Sequence, residues 1–260
     1  MHVVICPDAS ALSEQAAAMI AGAIGVNPKM VLGLAAGASP LGLYQSLLRR
    51  QAAGLDVSGV TLFGLDDYFG LAEDHPGRLR SSVQHHFLSK LAVSPAHIHW
   101  PEVSPDSDIA AACAAFERSI GQAGGIDLQI LGIGANGHIA FNEPGSGLAG
   151  RTRLVHLSAA TRRANAPSFA PGEMPEAAIT QGIGTILESR RIVLLASGES
   201  KAAAIAGAVE GPVTAMLPAS ALQWHPEVTL FVDFAAASQL TRRDEYDAEI
   251  AMLRRQGVFP

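Results

Sequence analysis

The densest chemistry in the chain lies in Gly132-Ile133-Gly134-Ala135-Asn136-Gly137-His138. A histidine stands just beyond an apolar run, and Glu143 follows with Asn142 and Pro144 beside it. A histidine near a carboxylate is a tunable acid/base pair, and glycines around it permit sharply bent backbone. Such a histidine can also be a plain hydrogen-bonding residue. No solvating run surrounds this one, which favours a functional reading.

Asp66 and Asp67 form a second candidate. Adjacent residues of an extended chain point to opposite sides, so these acids do not share one proton. One carboxylate reaching into a crevice would act as a proton-abstracting base; the alternative is a turn with solvated acids. No third carboxylate lies at ligand spacing, and neither an HExxH motif nor a Cys/His cluster is present, so a metal is not indicated. The other histidines are weaker candidates. His85 and His86 face different ways on one helix, His97 and His99 lie in a Pro-bounded connector, and His75 would line the crevice from the acidic loop.

A third candidate is Gly33-Leu34-Ala35-Ala36-Gly37-Ala38-Ser39-Pro40. Its small residues leave backbone N–H groups free to approach a ligand, and a following helix would turn its positive end toward a phosphate. The alternative is a tight turn with Ser39 as N-cap. It is neither the GxGxxG dinucleotide fingerprint nor a Walker A loop. In Ser197-Gly198-Glu199-Ser200-Lys201, Lys201 falls in the first turn of a helix, where the dipole disfavours a cation. A phosphate would offset that cost; a solvated lysine is the alternative.

These segments need a frame. Met1–Pro7, Met30–Ala35, Gly59–Leu65, Ile126–Ile133, Arg191–Ala196 and Val228–Val232 read as strands. Between them, helices are expected over Ala9–Ala23 with Asp8 as cap, over Pro40–Ala53, from Gly198 to Val209, and over Arg242–Arg255. Strands apolar on both faces, alternating with helices, predict an α/β fold: a doubly wound, mostly parallel sheet with helices on both faces. No repeat or linker divides residues 1–260, so a single Rossmann-like domain is expected. Ligands bind outside the carboxyl ends of such strands, which is where all four candidate loops fall.

Composition agrees. Of 260 residues 48% are hydrophobic and 16% charged, which excludes a disordered chain. The net charge of −6 disfavours non-specific nucleic-acid binding. Cys6 and Cys113 sit in apolar runs and read as buried free thiols. MHVVICPDAS lacks a signal-peptide pattern and no uninterrupted apolar stretch suits a membrane span, so a cytoplasmic location is expected. A homo-oligomer is compatible with the chain.

An ordered set of segments resembles the glucosamine-6-phosphate deaminase (isomerase) family, which shares its fold with 6-phosphogluconolactonases. The segments are GLAAGASPLGLY, LDDYFGL with DHPGR and RSS, GIGANGHIAFNEPG, RTRLVHLS and GPVTAMLPASALQWHP. The lactonase branch typically runs GHTASLFP where Ile139, Phe141, Asn142 and Glu143 stand here. The resemblance implies conversion of glucosamine 6-phosphate and water to fructose 6-phosphate and ammonia, in amino-sugar metabolism and without a cofactor. It makes Asp66 the base at C2, and His138 the ring-opening group aided by Glu143, with Asn136 in the catalytic set. It gives the phosphate to Gly37, Ala38, Ser39 and Lys201, and adds Asp67 and Gly137 to the substrate-binding set. Pro167 stands where the family has a phosphate-binding arginine, with Arg162 and Arg163 nearby, and Val155 stands at the lysine of the family's second phosphate site. Rival readings are a galactosamine-6-phosphate deaminase, a lactonase and a non-catalytic sugar-phosphate-binding regulator.

Overall fold

The computed structural model describes residues 1–101, 108–257 and 259. In its first half, strands β1 (His2–Cys6), β2 (Val31–Leu34), β3 (Thr61–Gly64), β4 (Asp66–Tyr68) and β5 (Ile98–His99) alternate with helices α1 (Ala9–Val26), α2 (Leu41–Ala52), α3 (Leu79–His86) and α4 (Ile109–Gln122). The second half runs β6 (Leu128–Gly132), β7 (Arg153–His156), α5 (Ala159–Asn165), β8 (Ala177–Thr180), α6 (Ile183–Leu187), β9 (Arg191–Ala196), α7 (Ala202–Glu210), β10 (Val228–Asp233) and α8 (Arg243–Arg255).

The main sheet has seven strands in the order β1-β10-β9-β6-β2-β3-β5, all pairs parallel. Its inner strands are the continuous apolar runs: every residue of β2 and β10 is buried. Alternate residues serve opposite faces. Leu32 and Leu62 join a core with Leu12, Ile20 and Leu43 of α1 and α2, whereas Val31 and Phe63 pack with Phe116 and Ile120 of α4. Helices therefore cover both faces, as expected. Asp8 caps α1, accepting a hydrogen bond from Ala11 N at 2.8 Å. By length and composition α1 is apolar enough to cross a membrane, but it lays Leu12, Ala16, Ala17 and Ile20 into the core.

Four features depart from the expectations. A second sheet, antiparallel and ordered β4-β8-β7, branches off after β3, pairing Asp66 with Thr180 and Tyr68 with Ala178. The short β5 extends the main sheet beyond β3. Ser39 is not the cap of α2: Pro40 holds that position and no side chain caps the helix. Lys201 likewise closes a 3-10 turn, Glu199–Lys201, just before α7 begins.

Candidate active site

The carboxyl ends of β2, β6 and β9 open onto a cavity of about 490 Å³, flanked by β4 and α5. Asp66 forms part of its wall and is only 6% exposed. Its backbone is held from below: Trp100 Nε1 donates to Asp66 O at 2.9 Å. The indole lies against Gly64, where any Cβ would collide with it. The Asp66 carboxyl has no hydrogen-bond or ion-pair partner among the described residues. Burial, aided by the neighbouring Asp67 charge, pushes it up to about 8 from an ordinary 3.8.

His138 and Glu143 face each other across the loop after β6, with Nδ1 3.6 Å from Oε2. His138 Nδ1 is buried and has no closer partner. The ring lies over Gly134, where a Cβ would come within 2.3–2.5 Å of three ring atoms, so the Gly134 position makes room for the imidazole. Asn136 ties the pair together. Its Nδ2 donates to Glu143 Oε2 at 2.7 Å, and its Oδ1 accepts from His138 N at 3.2 Å. The other Glu143 oxygen accepts from Ser158 Oγ at 3.2 Å and from Thr161 Oγ1. Burial pushes the Glu143 carboxyl up, but His138, Thr161 and Asn136 outweigh it and hold it down at about 2. Glu143 is therefore an anion at any working pH. Ala140 in the same loop adopts φ 52°, a left-handed conformation uncommon for a residue with a Cβ. The loop is anchored by buried Asn142, whose Nδ2 donates to Ile139 O and Gln181 O at 3.0 and 2.9 Å, while its Oδ1 accepts from Arg153 at 2.9 Å.

Gly37, Ala38, Ser39 and Lys201 line the same cavity. With α2 uncapped, the Ser39 hydroxyl has no hydrogen-bond partner among the described residues, and Ser39 lines the cavity. Lys201 is half-buried, and burial lowers the pKa of its ammonium. It has no carboxylate partner among the described residues. A desolvated cation and an uncapped helix N-terminus on one cavity make it anion-accepting.

The sequence expectations therefore divide. Asp66, Asn136, His138, Gly37, Ala38, Ser39 and Lys201 line one cavity, and Glu143 stands directly behind His138. Asp67 was expected in the substrate-binding set but faces the other way. It is 2% exposed, with Oδ2 accepting from Arg78 Nε at 2.9 Å and Oδ1 from Tyr68 N and Leu79 N, both at 2.8 Å. Strand alternation in β4 allows only one of the two acids to face the cavity. Gly137 also lies off the wall. Its φ of +83° and its contact with Leu217 shape the turn before His138. Neither Arg162 nor Arg163 reaches the cavity; Arg162 pairs with Glu176 at 3.2 Å. His75 is likewise outside it, 3.6 Å from Glu173 and stacked on Phe169. Sequence reasoning missed Trp100, Ser158 and Thr161. A Ser followed three residues later by a Thr is a cap signal, but it does not reveal the second use of these hydroxyls in holding Glu143.

Comparison with known proteins places these features in a lineage. Residues 8–231 match the family described as glucosamine-6-phosphate isomerases/6-phosphogluconolactonase. The glucosamine-6-phosphate deaminase of Pseudarthrobacter chlorophenolicus is 46% identical over 247 residues, covering 95% of both chains. That of Mycolicibacterium smegmatis is 47% identical over 249 residues with the same coverage. Among solved structures, a monomeric glucosamine-6-phosphate deaminase superposes with a TM-score of 0.88 at 40% identity, over 92% of this chain and all of that one. The 6-phosphogluconolactonase of Trypanosoma cruzi, at 20% identity and a TM-score of 0.75 over 92% of this chain and 97% of its own, shares the fold. The chain belongs to the glucosamine-6-phosphate isomerase/6-phosphogluconolactonase family.

Proposed function

We propose that the cavity converts glucosamine 6-phosphate and water to fructose 6-phosphate and ammonia. The observation that carries this reading is the grouping in one pocket of an unpartnered buried carboxyl, a His–Glu pair and an unpaired ammonium. The enzymes compared above at 46–47% identity are glucosamine-6-phosphate deaminases.

The chemistry follows from what each group can do. The closed sugar ring has no carbonyl. His138, backed by anionic Glu143, moves a proton from the C1 hydroxyl to the ring oxygen, and the ring opens to the aldehyde. The aldehyde acidifies the C2 proton. Asp66, in its carboxylate form, takes that proton and leaves an enolamine between C1 and C2. Protonation at C1 gives a C2 iminium, to which water adds before ammonia departs and the ketose remains. Each positioned proton-transfer group contributes roughly 10²–10⁴-fold. Lys201, Ser39 and the Gly37–Ala38 backbone hold the phosphate. The carboxyl that makes Asp66 suited to the C2 step has no task in lactone hydrolysis, where water attacks a carbonyl, and this favours the deaminase over the lactonase reading.

The reading places the enzyme in cytoplasmic amino-sugar metabolism. The test is a panel of glucosamine 6-phosphate, galactosamine 6-phosphate and 6-phosphogluconolactone, assayed for ammonia, ketose and acid. Ammonia and fructose 6-phosphate in equal amounts from the first are expected. Acid release from the lactone alone would overturn the reading.

A further inference from the structure

Asp233 ends β10, beside β9, and is 7% exposed. It is no part of the cavity wall, yet its carboxylate organises the turn that carries Lys201. Ser197 Oγ donates to Oδ2 at 2.5 Å. Gly198 N lies 3.0 Å from both oxygens, and Ala236 N donates to Oδ1 at 2.7 Å. Among the described residues every hydrogen-bond partner of the carboxylate is thus a donor, an arrangement suited to an acceptor-only anion. Burial alone would push this carboxyl up, but the hydrogen bonds from Ser197, Ala236 and Gly198 hold it below the usual range.

The chain then passes straight to the lysine. Gly198 adopts φ 92° and ψ 152°, a region essentially closed to residues with a Cβ. Its carbonyl accepts from Lys201 N at 3.1 Å, closing the 3-10 turn. One carboxylate thereby fixes Gly198 N, and the Gly198 carbonyl fixes Lys201. Ser197, held by the same carboxylate, lines the cavity. The opposing consideration is that Asp233 also accepts from Ala236 N and so shapes the segment after β10, a purely structural task.

We infer that Asp233 is a positioning residue for anion binding: its carboxylate locks the turn 197–201 so that Lys201 presents its ammonium to the phosphate group of the substrate. The inference rests on the proposed role of Lys201 and adds a residue outside the cavity to it.

Asp233→Asn keeps the shape but sets an amide NH₂ among donors. Its KM for glucosamine 6-phosphate should rise about tenfold or more while kcat changes less than about threefold, the loss expected for charge-assisted hydrogen bonds felt through binding. Affinity for inorganic phosphate, followed by calorimetric titration, should fall in parallel. In a Lys201→Ala background the same substitution should leave KM unchanged, because the group it positions is gone. Far-UV circular dichroism and Tm check the fold. Should Asp233→Asn fail to fold, Gly198→Ala probes the same turn, with weaker phosphate binding expected. Additive effects with Lys201→Ala, or unaltered phosphate affinity in the folded variant, would overturn the inference. Phosphate titration needs no turnover, so wild-type protein that binds phosphate but releases no ammonia would count against the proposed reaction and not against Asp233.

Discussion

Replacing Asp66 by asparagine should stabilise the protein, and increasingly so as the pH rises. The folded state keeps this carboxyl neutral up to about pH 8, whereas an ordinary aspartate ionises near 3.8. At low pH both states are protonated and Asp66 costs nothing. As the pH climbs through this window, the unfolded chain ionises and the folded one does not, so stability is lost. Linkage sets the slope at about 1.4 kcal/mol per pH unit, or about 4 kcal/mol between pH 5 and pH 8. Water entry and relaxation of the site reduce that upper limit, and about 2 kcal/mol is the working expectation, equal to about 4–8 °C in Tm for a chain of this size. Asparagine carries no such burden because it never ionises. Urea denaturation of both proteins at pH 5, 6, 7 and 8 reads the difference. The difference should widen steadily from pH 5 to pH 8 and extrapolate to zero near the ordinary carboxyl value of 3.8. A difference independent of pH, or a wild type more stable at pH 8, would refute the argument that Asp66 is buried without a compensating partner.

Gly134→Ala should lower kcat about a hundredfold, because its Cβ would stand 2.3–2.5 Å from the His138 ring and displace it; kcat with a circular dichroism check reads this. Lys201→Ala should raise KM more than about tenfold with little change in kcat, since among the described residues no arginine lines the cavity to replace it. The kcat/KM of the free enzyme should rise with pH toward about 8 as Asp66 ionises. Asp67→Asn should move that limb to lower pH, because the Asp67 charge helps hold Asp66 up and its loss leaves Arg78 unpaired nearby. An unmoved limb would show that Asp66 does not set the profile.

How much of this was legible depended on where the information lies along the chain. VLGL, RIVLLA and VTLFVD could be read as interior strands because both faces are apolar, and Asp8 as a cap because the cap is local. The loop around His138 could be read because it concentrates acid/base and turn residues in one stretch. The antiparallel sheet could not. Its strands are three or four residues long, and β4 pairs with residues more than a hundred positions away. Alternation told that Asp66 and Asp67 point apart, but not which of them faces the cavity; that depended on Arg78 claiming Asp67. The support of Glu143 by Ser158 and Thr161, and of Lys201 by Asp233, is tertiary in the same sense.

The central claim is that Asp66 removes the proton from C2 of an amino-sugar phosphate. Incubating wild type and Asp66→Asn with glucosamine 6-phosphate in D₂O, and following C2 hydrogen exchange together with ammonia, tests it most directly. Wild type should exchange the C2 position and release ammonia with an equal amount of fructose 6-phosphate, while Asp66→Asn should bind the substrate and do neither. Exchange by Asp66→Asn at near the wild-type rate would contradict the assignment.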